Sequence, residues 1–393
     1  MSLSGRAEGV ARLRRAIEEI EARSSSAAER RPEARLSLGA QLDARLGGGL
    51  AVDALHEIAP AAPADGAAAM GFALSLAARR LADGADVVTL EIEQIGVDAL
   101  RVVESVAPLR PGVEPIRIIQ DKTLQKPWLA ENGFPVGPFR VVRSEVELRE
   151  AVAALDGDVF VKTGRGGYDG RGQARIGALS GSGFGEVWRE LGERPAVVEK
   201  ALDLECEISV MAARNPSGEV RAFPAARNYH ENQILAWSVL PAGVGPELET
   251  RAEGLAADLV AKLGIVGLLC AEIFVTRGGD LFVNELAPRP HNSYHQSERG
   301  CATSQFEQLV RAVCNLPLGS TELIRPCAIA NLLGDLWLDD EPNFPAALAV
   351  PGVRLHLYEK HTPRAGRKMG HLSSVGETAE EALERVLEAK RKL

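Results

Sequence analysis

A mixed α/β protein is what this sequence predicts, and three observations carry that prediction. Short β-branched apolar runs alternate with stretches of helical apolar periodicity from about residue 85 onward. One such run ends in Lys162 and leads straight into a glycine-dense segment, KTGRGGYDGRG, at 162–172. A second pair of runs, 271–277 and 280–285, flanks Gly278-Gly279 and reads as a β-hairpin.

The 393 residues leave room for two or three domains, with 25% charged and 46% hydrophobic residues, a soluble globular balance. The net charge of -9 argues against nonspecific binding to nucleic acid or an anionic membrane, both of which favour a basic surface. A small basic pocket for one phosphorylated metabolite stays compatible with it. Five cysteines, an odd count without a CxxC pair, read as buried thiols in a reducing cytosol. No signal-type apolar region and no bilayer-length apolar run is seen, so the expected address is cytoplasmic.

In chain order, residues 8–22 have helical spacing with a charged outer face, and a Ser- and Ala-rich stretch to about Arg35 reads as a linker. Residues 54–58 form a short strand candidate, 65–82 an Ala-rich helix, and 86–95 (DVVTLEIEQI) a strand. Further strands are expected at 159–163, 196–199, 206–212, 268–276 and 281–286. Helices are expected at 144–155, 247–263, 304–314 and 379–393, the last with Glu early and Lys/Arg late, as the helix dipole prefers.

Four segments carry chemistry. Glycines after Lys162 let backbone N–H groups approach a phosphate, although no GK[ST] follows and a plain glycine-rich hairpin tip is the alternative. With a two-residue turn at Gly278-Gly279, facing residues sum to 557, so Arg277 faces Asp280, Phe274 faces Val283, and Glu272 faces Glu285. Opposed carboxylates repel, which makes sense if a cation lies between them; with Asn284 beside Glu285, the set suits Mg²⁺ shared with nucleotide phosphates. The alternative is two glutamates each paired with a nearby Lys or Arg. Next, the loop 286–295 (LAPRPHNSYH) presents Arg289, His291, Asn292 and His295, as binding side chains or as structural ones. Finally, 360–371 (KHTPRAGRKMGH) is either a phosphate-gripping loop or a solvated basic one.

Taken in order, Gln120-Asp-Lys122, Gln125-Lys126, Lys162, GGYDGRG at 166–172, Glu199, Glu207, Asn228-Tyr-His230, Glu272, Asn284-Glu285, PRPHNS at 288–293, TSQFE at 303–307 and GRKMGH at 366–371 resemble the N5-carboxyaminoimidazole ribonucleotide synthase (PurK) family of ATP-grasp ligases. The match is colinear from about Ala85 to Leu393. The resemblance implies an ATP-grasp α/β (α+β) fold with a C-terminal capping region, and ATP, Mg²⁺, bicarbonate and aminoimidazole ribonucleotide as cofactors and substrates. It implies that Lys122 and Lys162 contact ATP phosphates, with Gly166, Gly167, Tyr168, Asp169, Gly170 and Gly172 in the loop over them. Glu199, Lys200, Ala201 and Leu202 would form a hinge beside the adenine, Glu207 would bind the ribose, and His230, Asn284 and Glu285 would line the same site. Glu272 and Glu285 would hold the metal. Glu93, Tyr168, Asp169, Asn292, Lys360, Arg367 and Lys368 would bind the ribonucleotide; Arg171, Lys360, Arg289 and His291 would act in catalysis, the last two at the bicarbonate side. A homodimer is the assembly it implies.

The family's opening GGGQLGRM-type loop is absent, and Gly47-Gly48-Gly49 precedes a strand candidate instead of following one. Residues about 5–82 instead resemble the start of ImuA, a RecA-like accessory protein of mutagenesis, without a Walker A motif. The expected organisation is therefore a truncated RecA-like α/β fragment (1–84), a remnant of the pre-ATP-grasp domain (85–118), ATP-grasp (119–318) and a C-terminal domain (319–393). Tyr294 and Gln233 stand where the family commonly has Gly, and Ala365 where it has Pro. The expected activity is ATP-dependent carboxylation of aminoimidazole ribonucleotide. The alternatives are an uncoupled ATPase relic and a DNA-damage-tolerance accessory acting through the N-terminal segment.

Overall fold

The structure, a computed structural model, describes residues 35–36, 50–51 and 87–393, the last range apart from 106, 167–171, 178–182, 339, 359 and 361. The chain divides into two compact units, Met1–Arg80 and Leu81–Leu393. In the first, β1 (Arg35–Leu36) pairs antiparallel with β2 (Leu50–Ala51). The helices expected at 8–22 and 65–82, the strand at 54–58 and the RecA-like reading lie outside the described residues.

The second unit opens with β3 (Val88–Thr89), α1 (Val97–Glu104) and β4 (Leu109–Arg110), in which β3 and β4 pair in parallel around the helix. Strand 86–95 is thus much shorter than expected: beyond Thr89 the chain leaves the sheet, and Glu91, Ile92, Glu93 and Gln94 line a cavity instead. Two helices follow, α2 (Val113–Ile119) and α3 (Lys122–Glu131), the latter started by Asp121, whose carboxylate accepts from the Thr123 N–H at 3.0 Å.

A four-stranded antiparallel sheet comes next, built from β5 (Phe139–Val142), β6 (Val159–Thr163), β7 (Gln173–Ile176) and β8 (Ala196–Lys200) in the order β5-β8-β6-β7. Between them run α4 (Glu145–Ala154), capped by Ser144, and α5 (Phe184–Glu190). Strand alternation does the sorting: Val159 and Val161 of β6 pack with Leu148, Val152 and Trp188 of the helices, which turns Phe160 and Lys162 to the other face.

A nine-stranded antiparallel sheet completes the unit. Its strands are β9 (Leu204–Arg214), β10 (Val220–Ala222), β11 (Ala226–Glu231), β12 (Ile234–Leu240), β13 (Gly267–Thr276), β14 (Leu281–Ala287), β15 (Cys327–Leu333), β16 (Arg354–Leu357) and β17 (Lys368–Val375). The order is β14-β13-β9-β11-β12-β15-β17-β16, with β10 on β9. Helix α6 (Pro246–Lys262) buries Ala252, Ala256, Leu259 and Val260 against Ala271, Ile273 and Val275 of β13. Helix α7 (Gln305–Val313) and the final helix α8 (Ala379–Arg391) cover other parts of the same sheet.

The β13–β14 hairpin departs from the expected register in a way that cancels at the site. Its loop has three residues, not two: Thr276 N–H bonds Asp280 O at 3.0 Å and Gly279 sits at φ +80°. Phe274 therefore pairs with Phe282, not Val283, and Arg277 lies in the loop. A β-bulge between Glu272 and Ile273 then restores the count, and Glu272 pairs with Glu285 as expected.

The five cysteines are free, but only Cys270 and Cys327 are buried; Cys206 and Cys301 are half-buried and Cys314 is exposed, at the C-terminal end of α7. Among the described residues, no helix is long and apolar enough to cross a membrane.

Candidate functional site

A cavity of about 760 Å³ is walled by both sheets. The small sheet contributes Phe160 and Lys162 from β6 and Glu199 and Lys200 from β8. The large sheet contributes Glu207, His230, Glu272, Phe274, Asn284 and Glu285. Lys122, the first residue of α3, and Gly166 and Gly172, at the two feet of the glycine loop, reach the same space.

The bulge explains how Asn284 and Glu285, neighbours in sequence, both line the cavity. In an unbroken strand they would point to opposite faces; the extra residue puts both on one. Glu272 feels the crowding. Burial and the Glu285 charge push its carboxyl up to about 7. His291 Nε2 lies 3.4 Å from Glu272, and its own basicity is pushed well down by burial and by Arg289. Glu285 is taken by Lys122 Nζ at 2.6 Å, so one of the two glutamates does have the lysine partner of the simpler alternative. Among the described residues no cluster of three or more His, Cys, Asp or Glu could hold a metal. Two opposed carboxylates and an amide, oxygen donors throughout, fit a Mg²⁺ that completes its shell with water and phosphate.

Three lysines converge nearby. Lys162 Nζ bonds Glu199 at 2.9 Å and Asn284 Oδ1 at 3.0 Å, joining the two sheets across the cavity. Lys126 Nζ lies 3.2 Å from the other Glu199 oxygen and donates to Val283 O at 3.1 Å. Burial alone would raise Glu199, but Lys126 and Lys162 outweigh it and hold the carboxyl down to about 2. Burial likewise opposes the charge on Lys122, and Glu285 overrides it, raising its pKa.

His230 Nδ1 lies 2.8 Å from Glu207. Burial disfavours the charged imidazole, but the Glu207 carboxylate outweighs it and raises the pKa. The 288–295 loop stands on a buried polar network: the Ser238 hydroxyl shares its proton between Asn228 Oδ1 at 2.9 Å and Ser293 O at 3.0 Å, and Ser293 donates to Ser209 at 3.0 Å. Tyr294 fills the core beneath, its single hydroxyl proton shared between Ser209 O at 2.9 Å and Pro224 O at 2.8 Å and its ring meeting Phe223 edge-on. Arg289 grips Glu93 through Nε (2.6 Å) and Nη2 (3.2 Å), which pins the 90–96 segment to the cavity wall. His295 stacks on His371 instead of lining the cavity.

Of the residues expected at a site, Glu93, Arg289, His291, Asn292, Leu202 and Lys368 also line the cavity. Ala201, Lys360 and Arg367 do not; Lys360 donates to Lys368 O at 2.8 Å, at the start of β17, and Arg367 to Thr362 O at 2.7 Å. Gly167, Tyr168, Asp169, Gly170 and Arg171 lie outside the described residues. Sequence reasoning missed a role for Lys126, although Gln125-Lys126 stood in the motif, and missed Gln120, whose buried Nε2 has no hydrogen-bond partner and which lines the cavity. Gln233 also lines it, at φ +65° in the tight turn between β11 and β12, a backbone conformation that favours glycine.

Comparison with known proteins agrees with this architecture. Residues 128–306 match the ATP-grasp domain, and residues 327–385 the phosphoribosylaminoimidazole carboxylase C-terminal domain. The chain is 38% identical over 312 residues to N5-carboxyaminoimidazole ribonucleotide synthase of Bacillus subtilis, covering 79% of this chain and 80% of that protein. The crystal structure of the synthetase from Thermus thermophilus is 32% identical, with a TM-score of 0.73 over 88% of each chain. The Aspergillus clavatus enzyme in complex with ADP and 5-aminoimidazole ribonucleotide is 29% identical, with a TM-score of 0.71 over 80% of this chain and 84% of that one.

Proposed function

The chain belongs to the N5-carboxyaminoimidazole ribonucleotide synthase family of ATP-grasp ligases, and on that premise we propose that its cavity carries out ATP-dependent carboxylation of 5-aminoimidazole ribonucleotide by bicarbonate. The observation that carries the residue assignments is the convergence of Lys122, Lys162 and the opposed Glu272–Glu285 pair on one cavity from three separate elements.

In this reading Lys122 and Lys162 exchange their carboxylate partners for ATP phosphates. Glu199 and the following hinge, Lys200 to Leu202, take the adenine end, and Glu207 with His230 the ribose. Glu272, Glu285 and Asn284 hold Mg²⁺, which when bound neutralises charge on the phosphates. A bicarbonate oxygen attacks the γ-phosphorus and ADP leaves, giving carboxyphosphate. The exocyclic amine then attacks its carbonyl carbon, phosphate leaves, and the amine proton goes to solvent or to the departing phosphate. Lysines already placed at the transferring group supply the electrostatic stabilisation, so no covalent enzyme intermediate is required. Arg289 and His291 stand at the bicarbonate side; Glu93, Asn292 and Lys368, with Tyr168, Asp169, Arg171, Lys360 and Arg367, serve the ribonucleotide. Shielding of the water-labile intermediate is the part that the family resemblance gives the 162–172 segment.

The deciding assay is ADP release by the full chain with and without ribonucleotide and bicarbonate. Release should rise with both together; release indifferent to the ribonucleotide would instead mean an uncoupled ATPase. The same reading includes a cytoplasmic homodimer. Residues 5–82 are a separate matter: their ImuA resemblance proposes binding to a translesion polymerase, which a pulldown with the full chain tests, and a negative result removes it.

A further inference from the structure

Among the motif residues that the proposed reaction leaves without a task is Lys126. It is buried, does not line the cavity, and its ammonium is fixed between Glu199 at 3.2 Å and Val283 O at 3.1 Å. It therefore joins the small-sheet strand that carries Glu199 to the large-sheet strand that carries Asn284 and Glu285, one residue before the bulge.

The local charge balance shows why a third lysine is needed. Glu199 has two cationic neighbours, Lys162 and Lys126. Lys162 lines the cavity and also bonds Asn284, so it is the one able to turn to a phosphate. Once it does, Glu199 without Lys126 would be a buried carboxylate stripped of its partner, a strongly unfavourable state, and would swing toward any remaining donor. Lys126, held outside the cavity wall, stays behind when Lys162 leaves.

We propose that Lys126 is a positioning residue for the nucleotide: the permanent counter-ion of Glu199, which keeps that carboxylate charged and aimed at the adenine end while Lys162 moves to phosphate. This rests on the nucleotide placement given above. It acts on binding more than on the chemical step, because the transferring phosphoryl lies at the other end of the nucleotide.

The test compares wild type, K126M and K126M/E199Q, all as full chains, by calorimetric titration with Mg·ADP and by steady-state kinetics. In K126M, affinity for ADP should fall about ten-fold and KM for ATP rise in step, while kcat at saturating ATP and KM for the ribonucleotide stay within about three-fold. In the double variant Lys162 also loses its carboxylate partner and keeps only the Asn284 amide, so the melting temperature should not return to wild type and ADP affinity stays low. Wild-type ADP affinity in either variant, or a fall in kcat with ADP affinity intact, overturns the proposal. A wild-type chain that binds ADP but never responds to ribonucleotide sinks the carboxylation reading alone, and the ADP comparison still decides the role of Lys126.

Discussion

Replacing Glu272 by Gln should stabilise the metal-free protein while destroying its activity. The Glu272 carboxyl is pushed to about 7 from an ordinary 4.5, by burial and by Glu285 opposite. A carboxyl with a raised folded-state pKa binds its proton more tightly folded than unfolded. Its destabilising effect is therefore absent below about pH 4.5 and grows as pH rises through 7. Linkage makes the penalty modest at pH 5.5 and larger, on the order of 3 kcal/mol, at pH 8. Urea unfolding of chelator-treated wild type and E272Q should therefore diverge by about 2 kcal/mol between those two pH values, with the variant gaining. With Mg·ADP the order should reverse, since wild type alone keeps both carboxylates for the metal. A stability difference that stays constant from pH 5.5 to 8 would refute the opposed-carboxylate argument, whatever happens to turnover.

Three further outcomes follow from the same geometry. Lys162→Met removes the cation joining Glu199 and Asn284, and kcat/KM for ATP should drop by about a hundred-fold or more; a change within about three-fold would take Lys162 out of the phosphate site. A double-mutant cycle of R289M and E93Q in urea should give a coupling of about 1–3 kcal/mol from their bidentate pair, and strictly additive values would mean the pair holds nothing. Tyr294→Phe removes the one hydroxyl proton that two carbonyls share and should cost about 1–3 kcal/mol in urea unfolding with nucleotide affinity unchanged; loss of affinity with stability intact would contradict a purely structural Tyr294.

What the sequence disclosed depended on whether the governing interaction was local. The strand at 159–163 was readable to the residue, because its alternation and its glycine-rich exit are properties of consecutive residues. Helix α4 was readable from Ser144, whose side chain accepts from Glu147 N–H three residues on. The hairpin was readable in outline, but Gly278-Gly279 fits two loop lengths, and a bulge leaves no mark in composition. Helix α3 escaped notice because Pro127 interrupts the pattern of its ten residues. The polar floor of Ser209, Asn228, Ser238 and Ser293 joins residues 10 to 84 positions apart, as the Arg289–Glu93 pair joins two 196 apart. Most of these pairs lie far outside any reading window, and only the fold brings them together.

The bulged hairpin also bears on which changes of chain length this site could survive. Deleting one residue from a paired strand ordinarily inverts every side chain beyond the cut, sending core residues to solvent. Position 284 is an exception. Without Asn284, Val283 would still oppose Ile273, Glu285 would still oppose Glu272, and inward and outward residues would alternate without a break. A one-residue deletion there amounts to the removal of a single amide group. Homologues that lacked this residue could keep the same fold and the same carboxylate pair, while losing the amide that holds Lys162 in the empty site and that would serve as a third oxygen donor to Mg²⁺.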